Sequence, residues 1–391
     1  MACCSNKVSQ ARFLWILQLS NDRYGNADKA IHYGEQALEL ARQLDQRELI
    51  AYVLNDLGQS YYHIGDFKRG KQVGEEAVQL WRSLENKAMQ ADALSTLVFA
   101  YYLAADYEKA FQTADEALQI SRSIENLWGQ AYSQMYIGPA YFELGDPGKA
   151  IEVMEDCLRL SRAAGFVAPE LTTQSDLART YAELGAPDLA TELAEKAYQA
   201  VSRWADSSWL QYSLYGKIIV FSVIGDVEQA RPWVQQLTDL YPKLTLGGDS
   251  ELLILFALTE FYLADHNYEE VLKYGSRFKN LADANIRVID SRVSFWQAKA
   301  LIGLGQKEEG FQYLRTAYAD AQELNQLWML WQTLLEMAEI EMSRGELQEA
   351  DSHMAQAVEI VTNIADHISQ PGLRESFLSR SDIPQLLEKV A

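Results

Sequence analysis

The sequence is poor in residues that cross-link a chain, break helices or cross a membrane. Its 391 residues include only 3 cysteines (Cys3, Cys4 and Cys157), too few for a disulfide framework or a zinc site made by cysteines alone. With 8 prolines and 22 glycines the chain is neither collagen-like nor compositionally disordered. No apolar run reaches transmembrane length, and the N-terminus lacks a signal-peptide core. These absences predict a cytoplasmic protein in a reducing compartment.

Basic residues are also scarce, with 34 Lys and Arg against 55 Asp and Glu and a formal net charge of −21. So acidic a surface repels nucleic-acid phosphates and anionic lipid, and we expect no nucleic acid and no membrane as partner. The 5 histidines show neither H-E-x-x-H nor C-x-x-C spacing, so we expect no metal and no other cofactor. Apolar residues make up 48% of the chain, which is ample for a buried core.

A ten-residue phrase recurs about every forty residues, most clearly as YYHIGDFKRG at 61–70 and YFELGDPGKA at 141–150. Further copies begin at positions 21, 101, 181, 221, 262, 301 and 341. A fixed period of this kind indicates a solenoid. Each phrase joins two stretches whose apolar residues recur at helical spacing, with Gly and Asp or Asn as turn and cap residues between them. No segment alternates with period two, so the pattern predicts an all-α chain.

Small residues recur on the second helix of each repeat. One set is Ala30, Gly70, Ala110, Ala150, Ala190, Ala230, Val271, Gly310 and Ala350. The set seven residues later is Ala37, Ala77, Ala117, Cys157, Ala197, Leu237, Phe278, Ala317 and Ala357. Small side chains let neighbouring helices approach closely, and the larger residues weaken the pattern in the later repeats.

These features resemble the tetratricopeptide repeat, most closely in the second repeat (Leu57-Gly58, Tyr61, Gly65-Asp66-Phe67, Gly70 and Ala77). The resemblance implies a right-handed superhelix, an α-solenoid, of about nine helix-turn-helix repeats plus a C-terminal capping helix. The usual period is 34 residues. The forty-residue subtype resembles Pins-type adaptors and the sensor arrays of bacterial STAND regulators.

The repeats divide the chain into a leader at 1–9, nine repeats over 10–365 and a C-terminal capping helix over 366–391. A Gly- and Pro-containing stretch at 241–250 is a candidate hinge, and an ordinary longer loop is the alternative. The first helix, ARFLWILQL, is apolar on nearly every side, which suits a helix covered on both flanks. We therefore expect an upstream domain or self-association through this helix.

Each candidate catalytic motif is better explained by its position in the repeat. Gly145-Asp146-Pro147-Gly148-Lys149 resembles a phosphate loop, but its spacing is wrong and a helix pattern precedes it. Cys157 stands where most other repeats carry Ala, which favours packing over nucleophilic chemistry. Carboxylate pairs such as Glu75-Glu76 fit solvated helix faces. The sequence therefore predicts a protein that is not an enzyme.

In tetratricopeptide arrays the first helices line a concave groove that binds a peptide or protein segment. Carried onto this chain, the resemblance assigns that groove to Tyr52, Asn55, Asp56, Gln59, His63, Phe99, Tyr102, Tyr132, Tyr136, Phe142, Asp176, Arg179, Tyr212, Tyr215, Glu260, Arg292, Trp296 and Lys299. Rigid rings favour binding, but they would also fill a narrow superhelix. The expected function is a scaffold or sensor within a bacterial signalling regulator, with a basic or helical protein segment as partner. The alternative is a small-molecule sensor that regulates an attached effector domain.

Overall fold

The computed structural model describes residues 2–201, 207–240, 248–282, 286–384 and 386, and in these residues the fold is helical without a strand. Its helices are, in chain order, α1 Ala2–Arg23, α2 Ala27–Gln43, α3 Arg47–His63, α4 Phe67–Ser83, α5 Lys87–Leu103, α6 Tyr107–Ser123, α7 Leu127–Gln134, α8 Ile137–Glu143, α9 Pro147–Ala164, α10 Val167–Glu183, α11 Pro187–Val201, α12 Ser207–Val223, α13 Val227–Leu240, α14 Gly248–Ala264, α15 Tyr268–Ala282, α16 Asp290–Gly303, α17 Lys307–Glu323, α18 Leu327–Arg344, α19 Leu347–Asp366 and α20 Pro371–Leu378. Taking α7 and α8 as one interrupted helix, they form successive antiparallel pairs followed by α20.

The helix pairs match the predicted repeats, and a few boundaries differ from expectation. Helix α1 begins at Ala2, so residues 2–9, which the sequence set apart as a leader, continue the first helix. Most of the candidate hinge, 241–247, lies outside the described residues, and 248–250 open α14. At the other end, Leu373 and Phe377 of α20 are buried, as expected of a cap. The division of the chain into three segments stays a prediction.

The recurring phrase forms the turn inside each repeat. Asp66, Asp106 and Asp146 accept hydrogen bonds from the backbone N–H three residues on, which caps the second helix. Gly145 has a φ of 83°, a left-handed conformation that favours glycine. Pro147 occupies the first turn of α9, where its missing N–H is not needed. The loop that resembles a phosphate site is therefore a helix–helix turn.

The small residues of the second helices lie in the core. Both predicted sets are buried wherever their exposure is described, including the larger Val271, Leu237 and Phe278. A Cβ added to Gly70 would lie 2.2 Å from Cε1 of Tyr62, so the ring occupies the space that a side chain would need. Cys157 is fully buried and donates to the carbonyl of Ala131 at 3.3 Å. Close helix contact, as predicted, explains why these positions are small.

The superhelix winds back onto itself. The backbone N–H groups of Arg287 and Val288 donate to the carbonyl of Leu103, at 2.7 and 3.0 Å. Further along the same edge, the ring of Phe142 lies 4.2 Å from that of Trp328, centroid to centroid. The within-repeat turns of early repeats thus pack against the start of first helices in later repeats. This stacking of two superhelical turns encloses the axis, where the first helices face one another.

Candidate functional site

A cavity lined mainly by first helices of the repeats has two adjoining parts. The outer part has a volume of about 280 Å³ and the inner part about 110 Å³. Phe99, Tyr136, Thr172 and Tyr212 border both parts. The inner part is also lined by Phe256, Leu252, Leu253, Val288 and Ile289, which belong to the second superhelical turn. We call the whole cavity the axial channel; both turns contribute to its wall.

Aromatic rings line the outer part of the axial channel. The ring of Tyr136 lies 4.7 Å from that of Phe99 and 5.9 Å from that of Tyr102. Tyr132 packs edge-on against Trp128 at 5.2 Å. The Tyr132 hydroxyl lies 3.2 Å from Oγ1 of Thr96, so its polar end is satisfied. The outer part is therefore lined by aromatic rings together with polar side chains such as Gln59, His63 and Thr96.

A helix interruption shapes this wall. Helix α7 ends at Gln134 and α8 begins at Ile137, and both Tyr136 and Pro139 line the cavity. Pro139 has no N–H to bond the carbonyl of Met135, and its ring crowds that carbonyl. The sequence YIGPA therefore breaks the first helix of the fourth repeat where it faces the axial channel.

A network of buried charges lies beside the inner part. Nη2 of Arg179 and Nη2 of Arg292 both lie 3.3 Å from Oε1 of Glu143. Arg292 also approaches Glu183 at 3.8 Å and Glu260 at 3.6 Å. We call these five residues the charge network. Because Glu143 and Glu183 belong to the first superhelical turn and Arg292 and Glu260 to the second, it joins the two turns.

Neighbouring groups hold the guanidinium of Arg179 in its charged form. Burial on its own would lower the pKa of Arg179, but Tyr215 and the carboxylates of Glu143 and Glu183 together raise it. Burial raises the pKa of Glu260, and the charge of Arg292 opposes that shift. A buried pair that loses one partner leaves an uncompensated charge, so each member depends on the others.

Asp176 differs from these carboxylates because its side chain has no hydrogen-bond or ion-pair partner in the described part of the chain. It borders the inner cavity together with Arg179 and Tyr215. Burial raises its pKa from 3.8 to about 7, and the charge of Arg179 only partly opposes this rise. An unpartnered carboxylate at the wall of an apolar cavity can accept a hydrogen bond or ion pair from a bound cationic group.

The structure brings many of the predicted groove residues to the axial channel. Its walls and the adjoining charge network include Gln59, His63, Phe99, Tyr102, Tyr132, Tyr136, Phe142, Asp176, Arg179, Tyr212, Tyr215, Glu260 and Arg292. Whether these residues bind a ligand stays a prediction.

Three predicted residues make internal contacts instead, two of them with the N-terminal helix. Tyr52 stacks on Trp15 at 5.0 Å, and Trp15 Nε1 donates to Asp56 at 2.6 Å. Asn55 is buried and donates to Asp92 at 2.9 Å. Burial raises the pKa of Asp56 to about 7, with the charge of Asp92 adding to the effect and the Trp15 hydrogen bond opposing it. These side chains are occupied with internal packing.

Two others sit in the second superhelical turn, away from the cavity. Trp296 is only 1% exposed, packs on Phe256 and donates from Nε1 to Glu260 at 3.1 Å. Lys299 forms an ion pair with Glu336. Trp296 is therefore part of the core, where replacement by Ala would leave a cavity.

Sequence reasoning missed several lining residues. Thr172 occupies the same repeat position as Tyr132 and Tyr212, so the repeat register could have identified it. Val288 and Ile289 precede α16 and reach the channel only because the two turns stack. No local pattern in the sequence marks that contact.

Other kinds of site are not found among the described residues. No three His, Cys, Asp or Glu side chains there are grouped so as to hold a metal ion. None of the described helices combines the length and apolar character that a membrane span requires.

Comparisons with known proteins agree with the repeated helical fold. A tetratricopeptide-repeat family model matches residues 131–163. The fold is a tetratricopeptide-repeat solenoid. No curated protein sequence matches the chain. The resemblance to STAND regulators and Pins-type adaptors stays a prediction.

Among solved structures, the solenoid is similar to three Rap proteins. A Rap protein complexed with competence and sporulation factor has a TM-score of 0.59 and 19% identity, over 71% of this chain and 75% of its own. The Rap conjugation gene regulator of plasmid pLS20, in complex with the Phr* peptide, has a TM-score of 0.59 and 15% identity, over 80% and 96%. The apo form of RapI has a TM-score of 0.51 and 15% identity, over 80% and 98%. At these identities the likeness concerns the fold.

Proposed function

We propose that the protein binds a peptide or an extended protein segment in the axial channel. The channel is lined by many aromatic rings, which give large contact area at low conformational cost. A segment lying in it would contact both superhelical turns at once. Two of the structurally similar proteins are named as complexes, one with a factor and one with a peptide. In this proposal the protein acts by recognition and not by catalysis.

The observation that carries the proposal is the unpartnered carboxylate of Asp176 at the wall of the inner cavity. A Lys or Arg side chain, or a free amino terminus, would supply the missing partner and offset the cost of the buried charge. The net charge of −21 also attracts a basic ligand. The ligand we propose is therefore a segment with a cationic group flanked by apolar residues.

Binding in the channel provides a route to regulation. The charge network and the contact of Phe142 with Trp328 already join the two turns. A ligand bound to both walls would favour this stacked arrangement over a more open one. We propose that the protein works in this way in the cytoplasm, as part of a bacterial signalling regulator.

Affinity selection from a defined library of short free peptides tests the proposal. The purified chain is mixed with the pool, the complex is separated from unbound peptide, and bound peptides are read by mass spectrometry. We expect enrichment of peptides with Lys or Arg beside apolar residues. We also expect weaker binding when the selected Lys or Arg is replaced by norleucine or citrulline, which remove the charge.

Asp176→Asn is the decisive variant, and Asp56→Asn is its matched control. Both carboxylates are half-buried and occupy the same repeat position, but Asp56 is bonded to Trp15 and lies outside the channel. A charged hydrogen bond lost from a buried site weakens binding by about tenfold or more. Equal loss in both variants, or no peptide selected at all, would contradict binding in the axial channel.

A small-molecule sensor is the second candidate, favoured by the small and mainly apolar inner part of the channel. Its volume of about 110 Å³ is roughly that of a few water molecules. This is below the usual volume of sites for drug-sized ligands. A cationic metabolite would have to use Asp176 too. A thermal shift with a free amine or guanidine compound, absent with every peptide, would favour this candidate.

A further inference from the structure

The outward face of α1 exposes large apolar side chains. Phe13 is 60% exposed, Ile16 is 56% exposed and Leu19 is 40% exposed. Tyr24, just past the end of the helix, is 79% exposed. Three-residue spacing places the first three along one side of the helix. Such a group of exposed apolar residues is typical of a contact surface.

The later repeats show what covers this face when a neighbour is present. The position of Phe13 recurs in the first helix of every later repeat, and none of the equivalent residues is more than 7% exposed: Val53, Ala93, Ser133, Thr173, Ser213, Ile254, Val293 and Thr333. Each of those helices packs against the second helix of the preceding repeat. Phe13 is exposed because the described residues provide no such helix before α1.

The contacts between second helices and the following first helices indicate what kind of helix could cover this face of α1. A Cβ added to Gly34 of α2 would lie 2.6 Å from Cδ2 of Leu57, and one added to Gly74 of α4 would lie 2.9 Å from Cδ2 of Leu97. Leu17 holds the same repeat position on α1 and is half-buried. A helix covering α1 therefore needs small residues along its line of contact.

The charge of α1 is opposite to that of the whole chain. The helix carries Lys7, Arg12 and Arg23 but only one acidic residue, Asp22. Arg12 and Arg23 flank the apolar face, are exposed, and form no ion pair with the described residues. A helix that covers Phe13 and Ile16 would bring its flanking side chains close to these guanidinium groups.

A second copy of α1 does not match this surface. Its Asp22 already accepts a hydrogen bond from Oγ of Ser60 at 2.8 Å and lies 3.3 Å from Nδ1 of His63. If two copies met through this face, Arg12 and Arg23 of one copy would lie near the same cations of the other. Asp22 would not be free to pair with them. Like charges juxtaposed at an interface oppose association.

We propose that the Phe13–Ile16 face of α1 docks an amphipathic helix of a partner protein, stacked as the second helix of a preceding repeat would be. This partner helix has small residues along its contact line and carboxylates on its flanks. The apolar residues supply the burial, and Arg12 and Arg23 select the acidic partner. The site is separate from the axial channel and does not depend on the channel's function.

A stapled peptide with the sequence of α6, residues 107–123, serves as the probe. It carries the small residues Ala110, Ala114 and Ala117, and in the intact protein it packs against the next first helix, α7. An acidic version carries Lys109→Gln and Arg122→Gln, and a basic version carries Glu108→Gln, Asp115→Gln and Glu116→Gln. Fluorescence anisotropy with labelled peptide measures binding to the full chain at low and high salt.

We expect the acidic version to bind at least about tenfold more tightly than the basic version at low salt, with the difference shrinking as salt rises. Phe13→Glu should weaken the acidic version by about tenfold or more, since it removes an apolar contact and adds a like charge. Arg12→Glu should weaken it and reverse the preference between the two versions. Leu347→Glu is the control, because Leu347 is 61% exposed at the other end of the array.

Unchanged melting curves will show that Phe13→Glu and Leu347→Glu remain folded. Equal affinity for the acidic and basic versions, or equal loss with Leu347→Glu, would overturn the proposal. So would a dimer in sedimentation that Phe13→Glu converts to monomer, because the occupant would then be a second copy. Absence of any binding by the acidic peptide would have the same consequence.

Discussion

The ionisation of Asp176 leads to a quantitative prediction about pH and stability. The carboxylate has a pKa of about 7 in the folded protein, raised from 3.8 chiefly by burial. Between these values the native state binds more protons than the unfolded state, so this group makes stability fall as pH rises from about 4 to about 7. Replacing it with neutral Asn should therefore stabilise the protein at pH 8 and have little effect at pH 4.

The size of the effect follows from the shift. One pKa unit corresponds to about 1.4 kcal/mol, so a shift of about three units sets an upper limit of about 4 kcal/mol. Local relaxation and water entry reduce this upper limit. The Asn amide also needs hydrogen-bond partners of its own, which lowers the gain in stability further. We expect Asp176→Asn to raise the free energy of unfolding at pH 8 by about 1–3 kcal/mol.

Urea unfolding followed by circular dichroism at pH 4 and pH 8 measures this difference. Asp351→Asn, a change of the same chemistry at an exposed position of α19, is the control and should show no dependence of this kind. If Asp176→Asn destabilises the protein at pH 8, the carboxylate has a partner in solution and the reasoning fails. The peptide proposal gives an independent check, because affinity for a cationic peptide should rise about tenfold between pH 6 and pH 8 for a pKa of about 7.

Three further predictions concern the packing of the solenoid. Gly148→Ala would place a Cβ 2.0 Å from the backbone oxygen of His367. We therefore expect the free energy of unfolding to fall by about 1–3 kcal/mol and the radius of gyration in small-angle scattering to increase. The control is Gly372→Ala, whose Cβ would have no atom within 4 Å and should change neither quantity. Arg292→Met leaves buried carboxylates uncompensated and should destabilise by about 3–5 kcal/mol in thermal unfolding, and a neutral outcome would mean that the charge network is hydrated. Burial raises the pKa of Cys157 to about 11, so in a chain lacking the other two cysteines its thiol should react with a disulfide reagent only after unfolding.

The residues that line the axial channel were only partly predictable. Tyr136 and Tyr212 face the axis because the repeat register puts them on the inner side of first helices. The same register selected Tyr52 and Trp296, which pack inside the protein. The repeat position of a residue determines the direction of its side chain. Whether that side chain is exposed depends on which other elements pack against it, and Tyr52 is covered by Trp15 of α1.

The sequence by itself determined the repeating unit of this protein. Helical periodicity, small residues at fixed positions and caps such as Asp146 depend on contacts within one repeat or between neighbours, so they can be predicted from local spacing. The stacking of the two superhelical turns was decided only by the tertiary structure. Contacts such as Leu103 with Arg287 join residues far apart in sequence through backbone groups, which carry no sequence signature. The axial channel and its charge network follow from that stacking because small rotations accumulate over many repeats.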